Sequence, residues 1–176
     1  MTMKNKSVLG ATIEVTVEKT RPSNTTAYTD EDVISESASS GTGWTFDAIV
    51  PTNKGGGRIT KAIVQCDDTN IVPVLTMYLT NVTPLGVLND NVGNTNPVYA
   101  TESDNYLGRI DWPAMQDLGG ASEAEIGADG LVAGMPKSFV CVDGDDAIYG
   151  VLVIRSAAHT PTSGAKFRVT LTVEPD

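Results

Sequence analysis

Hydrophobic and polar positions alternate along much of this chain with a period of two. Near the C-terminus Phe167, Val169, Leu171 and Val173 interleave with Arg168, Thr170, Thr172 and Glu174. Successive strand side chains point to opposite faces, so this run has one apolar face and one wet face. Ile13-Glu14-Val15-Thr16-Val17-Glu18 repeats the pattern near the other end. The two amphipathic strands are expected side by side, with both ends of the chain in one sheet. Tyr149-Gly150-Val151-Leu152-Val153-Ile154-Arg155 is apolar on both faces, as a central strand covered on both sides would be. His159-Thr160-Pro161-Thr162-Ser163-Gly164 supplies Pro and Gly for the connection between the last two runs.

The same grammar predicts an extended segment over 27–35 and strands over 44–50, 58–66, 74–80 and 106–111. Two more are expected over 139–142 and 147–155. Trp44, Phe46 and Ala48 share one face, as do Ala62, Val64 and Cys66. Leu75, Met77 and Leu79 face in, against Thr76, Tyr78 and Thr80 facing out. Residues 81–100 read as loop, and the Gly/Ala-rich residues 119–137 as an exposed excursion. One helix is expected near residues 112–118. There Asp111-Trp112-Pro113 has an acidic start and an early Pro, and Gly119 stands just past the end. The fold class is all-β: a mostly antiparallel β sandwich, jelly-roll-like, with that single short helix. Residues 1–8 are expected to form a flexible arm and residues 9–176 a single domain.

Charge narrows the partners. The chain has 176 residues, 12 basic against 22 acidic, and a net charge of −10. Neutralising phosphates takes a dense Lys/Arg surface, so nucleic acid and anionic membrane are excluded as expected partners. No apolar stretch approaches the roughly 20 residues that span a bilayer. No apolar signal segment follows Met1-Thr2-Met3-Lys4-Asn5-Lys6, so synthesis in a cytoplasm is expected. Cys66 and Cys141 each end an apolar run and read as small buried hydrophobes, a late disulfide being the alternative. Lys4, Lys6, Lys19 and Arg21 concentrate positive charge near the N-terminus, either as a solvated arm or as a basic arm laid on an acidic neighbour.

Catalytic vocabulary is sparse. His159 is the only histidine, and Ser156 or Ser163 are the hydroxyls within reach along the chain, with no nucleophile-elbow frame. The chain is therefore not expected to be an enzyme. Asp67-Asp68, Asn89-Asp90-Asn91 and Asp143-Gly144-Asp145-Asp146 are carboxylate clusters of a kind that holds Ca2+. Asp and Gly are also what tight turns use, and no metal or other cofactor is expected. Tyr78, Tyr99 and Tyr106 are the candidate glycan contacts, while Trp44 and Trp112 read as anchors.

The order of several segments carries a resemblance. Tyr28 with Asp32-Val33-Ile34 comes first, then Trp44-Thr45-Phe46 and Gly57-Arg58-Ile59-Thr60-Lys61-Ala62. Thr83-Pro84, Asn96-Pro97-Val98-Tyr99-Ala100 and Leu107-Gly108-Arg109-Ile110-Asp111-Trp112-Pro113 follow, before the two terminal strands. In this order the chain resembles head decoration, or cement, proteins of tailed bacteriophages of β-sandwich type. The resemblance implies a structural virion protein on the outer surface of a mature capsid, bridging major-capsid subunits as a homotrimer. Lys4, Lys6, Lys19 and Arg21 are then the candidate capsid contacts. The alternative is a tail or fibre-associated carbohydrate-binding module.

Overall fold

A computed structural model describes residues 12–69, 72–96, 103–127, 134–156 and 159–176. These residues form ten strands: β1 (Ile13–Thr20), β2 (Trp44–Phe46), β3 (Gly56–Cys66), β4 (Leu75–Thr80) and β5 (Tyr106–Asp111), then β6 (Gln116–Asp117), β7 (Ser122–Gly127), β8 (Lys137–Val140), β9 (Ile148–Ile154) and β10 (Lys166–Pro175). One sheet runs β1-β10-β3-β7-β6, with β8 also paired to β3. The second runs β2-β9-β4-β5. Every pairing is antiparallel.

The pairings nest in chain order. β1 takes β10, β2 takes β9, β3 takes β8 and β7, and β4 takes β5. This is one long antiparallel ribbon folded over on itself, its limbs passing alternately to the two sheets, which is the connectivity of a jelly roll. The two apolar runs at the chain ends meet in that nest. Ile13 lies opposite Val173 and Lys19 opposite Phe167, without a break in register.

Inner faces of both sheets make one core. Phe167, Val169, Leu171 and Val173 are completely buried, against Trp44, Phe46, Met77, Leu79 and Leu152 from the other layer. Burying such a side chain stabilises by about 1.5–3 kcal/mol. In β3, Gly57 and Ile59 face the core, and so do Ala62, Val64 and Cys66. The two phases are reconciled by a bulge, since Thr172 pairs with Lys61 and Val173 with Ile59, leaving Thr60 unmatched. Gly57 is needed there because a Cβ would meet the Glu174 carbonyl oxygen at 2.8 Å. β9 is buried on both faces, as its sequence predicts. Its outward Val151 and Val153 form a second small cluster with Val33, Tyr78 and Leu88.

The helix expected near residues 112–118 is absent, and no described residue is helical. Trp112 precedes Pro113, which disfavours the helical basin, and Pro113 has no N–H to give. The backbone donors are used at long range instead. Trp112 N donates to Leu75 O at 3.0 Å and Met115 N to Pro73 O at 3.0 Å. The Trp112 indole donates to Ala62 O at 3.0 Å, and Gln116–Asp117 pair with β7 as β6. The excursion expected over 119–137 likewise contains β7, which docks on β3 through Ala124 and Ile126. The strand expected over 44–50 stops at Phe46. Ala48 turns left-handed (φ 52°) and is exposed, while Ile49 N bonds Asp146 O at 3.0 Å.

Trp112→Ala should cost about 3–5 kcal/mol of unfolding free energy in a denaturant titration. Leu118→Ala, at an exposed position in the same stretch, should stay within about 0.5 kcal/mol of the parent.

Candidate interaction surface

Two straps wrap the four-stranded sheet, and a buried polar clasp holds them. The first strap, residues 21–43, leaves β1 and runs beside β9, where β2 is too short to reach. Ile34 N bonds Leu152 O at 2.9 Å and Ile154 N bonds Asp32 O at 3.0 Å. The second strap, residues 81–96, pairs with the first. Val33 N bonds Val92 O at 3.0 Å and Asn94 N bonds Glu31 O at 2.8 Å. Gly41 lets the straps touch, because any Cβ there would collide with the Leu88 carbonyl, and its N–H donates to Asn89 Oδ1 at 3.1 Å.

Arg21, Tyr28 and Asp90 form the clasp. Arg21 Nε donates to the Tyr28 hydroxyl at 3.1 Å, and that hydroxyl donates to Asp90 Oδ1 at 2.6 Å. Ser35 N donates to the same oxygen at 3.0 Å. Arg21 Nη2 stands 3.5 Å from Asp90 Oδ2, a charge contact without a hydrogen bond. The guanidinium also covers the Tyr28 ring at 4.8 Å. Both charged side chains are fully buried. Burial pushes the Asp90 carboxyl up from its usual range, opposed by the hydrogen bonds from Tyr28 and Ser35 and by Arg21. Burial likewise pushes the Tyr28 phenol well up.

A second, shallower pair lies beside it. Lys19 Nζ binds the Glu36 carboxylate and donates to Thr42 O at 2.6 Å, with the ammonium 5.8 Å from the Trp44 ring. Burial pulls the Lys19 ammonium down, offset in part by Glu36. Burial raises Glu36, but the hydrogen bonds from Lys19 and Thr42 outweigh it and bring its carboxyl to about 2.

Of the residues expected to touch a capsid, Lys19 and Arg21 therefore spend their charge inside the chain, 8% and 2% exposed. Lys4 and Lys6 lie outside the described residues, as does Tyr99. Tyr78 and Tyr106 are half-buried on the outer side of β4 and β5, close to Arg109 and Asp111. Tyr78 leans on the Val33–Val151–Val153 cluster, so its ring serves packing. Thr76 and Thr80, expected to face solvent, are buried.

The acidic clusters close turns. Asp67 Oδ1 accepts Lys166 N at 2.7 Å, and Asp68 Oδ2 accepts Thr162 N. Asp145 accepts Ala147 N at 3.1 Å and the Tyr149 hydroxyl at 2.8 Å, while Asp143 pairs with Lys54 at 3.4 Å. Among the described residues no group of three or more His, Cys, Asp and Glu is placed to hold a metal ion. His159 Nε2 lies 3.2 Å from Ser156 Oγ, and that hydroxyl also accepts Val74 N at 3.2 Å, so the pair ties the β9–β10 connection to the start of β4. Cys66 and Cys141 are buried free thiols, burial pushing them up to about 12 and about 11.

Two surfaces of the described residues differ in character. The outer face of the six-stranded sheet is polar and largely self-neutralised. Glu18 meets Arg168 at 2.7 Å and Lys61 meets Glu125 at 3.2 Å, with a Thr16–Thr170 hydroxyl contact of 2.9 Å between them. The second strap is different. It exposes Leu85 (68%), Val87 (44%) and Val92 (37%) while Asp90 and Leu88 anchor it from beneath. The sequence hid this surface. Asp90 reads as an ordinary turn carboxylate, and its tie to Tyr28 spans 62 residues.

No family model matches the chain, and no curated protein matches it. Among solved structures it is similar to a chain of an Israeli acute paralysis virus particle heated to 63 degrees. The identity there is 12% and the TM-score 0.33, over 100% of this chain and 75% of that one. It is also similar to a chain of the native Kashmir bee virus virion at neutral pH, with 12% identity and a TM-score of 0.35, over 100% and 74%. Superpositions this loose carry no weight for fold or function, and the jelly roll stands on the chain's own strand pairing.

Asp90→Asn should cost about 3–5 kcal/mol in urea unfolding, because Arg21 is left buried without a counter-charge. Glu36 carries a pH dependence of known sign. Its folded value lies below the ordinary 4.5, so its stabilisation is complete above that pH and is lost as pH falls towards about 2. The gap in stability between the parent and Glu36→Gln should accordingly close across that window.

Proposed function

We propose that this chain is a structural virion protein that binds the outer surface of a mature phage capsid and stabilises it by bridging major-capsid subunits. The observation that carries this reading is the second strap. It is a loop pinned from below by a buried ion pair, and it presents Leu85, Val87 and Val92 to solvent. A strap held this firmly costs little entropy to dock, and preorganisation of that kind favours binding. The jelly-roll pairing and the segment order that resembles head decoration proteins support the same reading. So does the other broad surface, where ion pairs and threonine hydroxyls satisfy one another.

The mechanism is linkage. A protein that binds only the expanded shell stabilises that state by mass action. Copies joined as a homotrimer over a three-fold position add weak single contacts through multivalency. In this reading the chain is made in the bacterial cytoplasm, ends on the capsid surface, and needs no nucleic acid, membrane or cofactor.

The test is binding of purified chain to heads that lack it, read as copies bound per head. The parent should occupy the heads and protect them from heat. Leu85→Ser/Val87→Ser should lose most of the occupancy with an unchanged melting temperature, since both side chains are exposed. Equal occupancy by the variant would remove the strap from the contact. Failure of the parent to bind, together with glycan binding lost in Tyr78→Ala, would transfer the chain to a tail-associated carbohydrate-binding role.

A further inference from the structure

The strap surface has a charge pattern as well as an apolar one. Residues 81–96 contain no Lys or Arg, and the first strap contains only Arg21, which is buried in the clasp. Leu85, Val87 and Val92 therefore stand on a support with no exposed base of its own. The bases nearest to it in the fold are already engaged. Arg155 is held by Glu31, Arg109 by Asp111 at 2.7 Å and Lys54 by Asp143 at 3.4 Å. Lys137 is the one base among the described residues without an ion pair, and it is half-buried beside Gly108 of β5.

Acids flank the same strap at both ends. At its start the Tyr149 hydroxyl accepts from Thr83 and donates to Asp145 at 2.8 Å. That bond to Asp145 raises the Tyr149 phenol, and the charge of Asp47 adds to it. Asp47 follows β2 and is exposed, and its carboxylate has no hydrogen bond or ion pair among the described residues. At the far end Asn94 N bonds Glu31 O at 2.8 Å, and Gly93 pairs with Asp32. Asp30 stands just before them, exposed and likewise without a side-chain partner among the described residues. Burial raises the Tyr78 phenol, and the charge of Asp30 is felt there too, on the outer side of β4.

The six-stranded sheet differs on this point. There Arg58, Lys61 and Arg168 each lie within 4.0 Å of an acid, namely Glu174, Glu125 and Glu18. The strap instead sets an apolar centre between two uncompensated carboxylates, on a chain of net charge −10. An acidic partner would meet like charges at both ends, and such juxtaposition is how interfaces reject wrong partners. A second copy of the strap brings the same acids and no base, so it offers no complement in any register.

We propose that the strap docks on a basic protein surface, an apolar patch flanked by Lys or Arg that seats Leu85, Val87 and Val92 and pairs with Asp30 and Asp47. This inference rests on the capsid reading for the identity of the partner, and adds the chemistry that the capsid face must present. Carboxylates at the rim of an apolar contact act mainly on the association rate and its salt dependence. The apolar centre governs dissociation.

The experiment measures association and dissociation rates of the full chain on heads that lack it. It is run at about 0.1 M and about 1 M salt, between which the screening length falls from about 10 Å to about 3 Å. The parent should associate about tenfold more slowly at the higher salt. Asp30→Lys/Asp47→Lys should lose about tenfold in association rate at the lower salt and match the parent at the higher. Asp30→Asn/Asp47→Asn should fall between them, and both variants should melt with the parent because neither carboxylate has a partner to lose. A parent rate that ignores salt, or variants that associate at the parent rate in low salt, would overturn the inference and leave the capsid reading standing. Faster association of Asp30→Lys/Asp47→Lys overturns it equally, since the facing surface is then acidic. A parent that binds heads at neither salt removes the capsid reading, and this inference with it.

Discussion

A single buried charge pair ties the outer architecture together. Arg21 leaves the end of β1, Tyr28 and Ser35 belong to the first strap, and Asp90 belongs to the second. All four meet around one carboxylate. Burying two charges is expensive, and hydrogen bonds to the remaining donors and acceptors offset part of the cost. Here the other Arg21 donors reach Asn24 O at 2.9 Å and Asn24 Oδ1 at 3.1 Å, while Asp90 Oδ2 has the charge of Arg21 but no hydrogen bond. The backbone of Tyr28 is further tied to His159, with N–H to O at 2.8 Å in one direction and 3.2 Å in the other. The clasp therefore links both sheets, both straps and the β9–β10 connection. A hydrophobic contact could hold the straps down, but it would not fix their register as a directed network does.

That rigidity gives the surface its character. The straps cover the outer side of β9, which is why Val151 and Val153 can be apolar on the face away from the main core. In covering it they carry Leu85, Val87 and Val92 outward on a support tied to the clasp through Asp90. The six-stranded sheet pairs acids and bases on its broad face and exposes Val140 (56%) on β8.

Much of the fold was legible in the alternation of residues. β1 and β10 follow from period-two patterns with one wet face, and their pairing from their shared composition. The central position of β9 follows from its unbroken apolar run. What alternation could not show is long-range polar commitment. Lys19 and Arg21 look like surface charge because nothing nearby in sequence predicts Glu36 and Asp90 as partners. The helix expected at residues 112–118 had the right punctuation, but end signals do not stabilise two turns whose nucleation is unfavourable. Trp112 and Met115 gained more by entering the core in extended form, with their N–H groups on Leu75 and Pro73. β7 was missed because Ala124 and Ile126, the residues that dock it, are few and sit among Gly and Glu. The strap surface had no sequence signature, since its three exposed apolar residues are spread through a polar loop.

The most direct test of a capsid-surface role is where the chain sits on intact particles. Antibody raised against it and read by immunogold electron microscopy should label the head, scattered over its whole surface. Label confined to the tail tip, or absent from intact particles, would contradict the account.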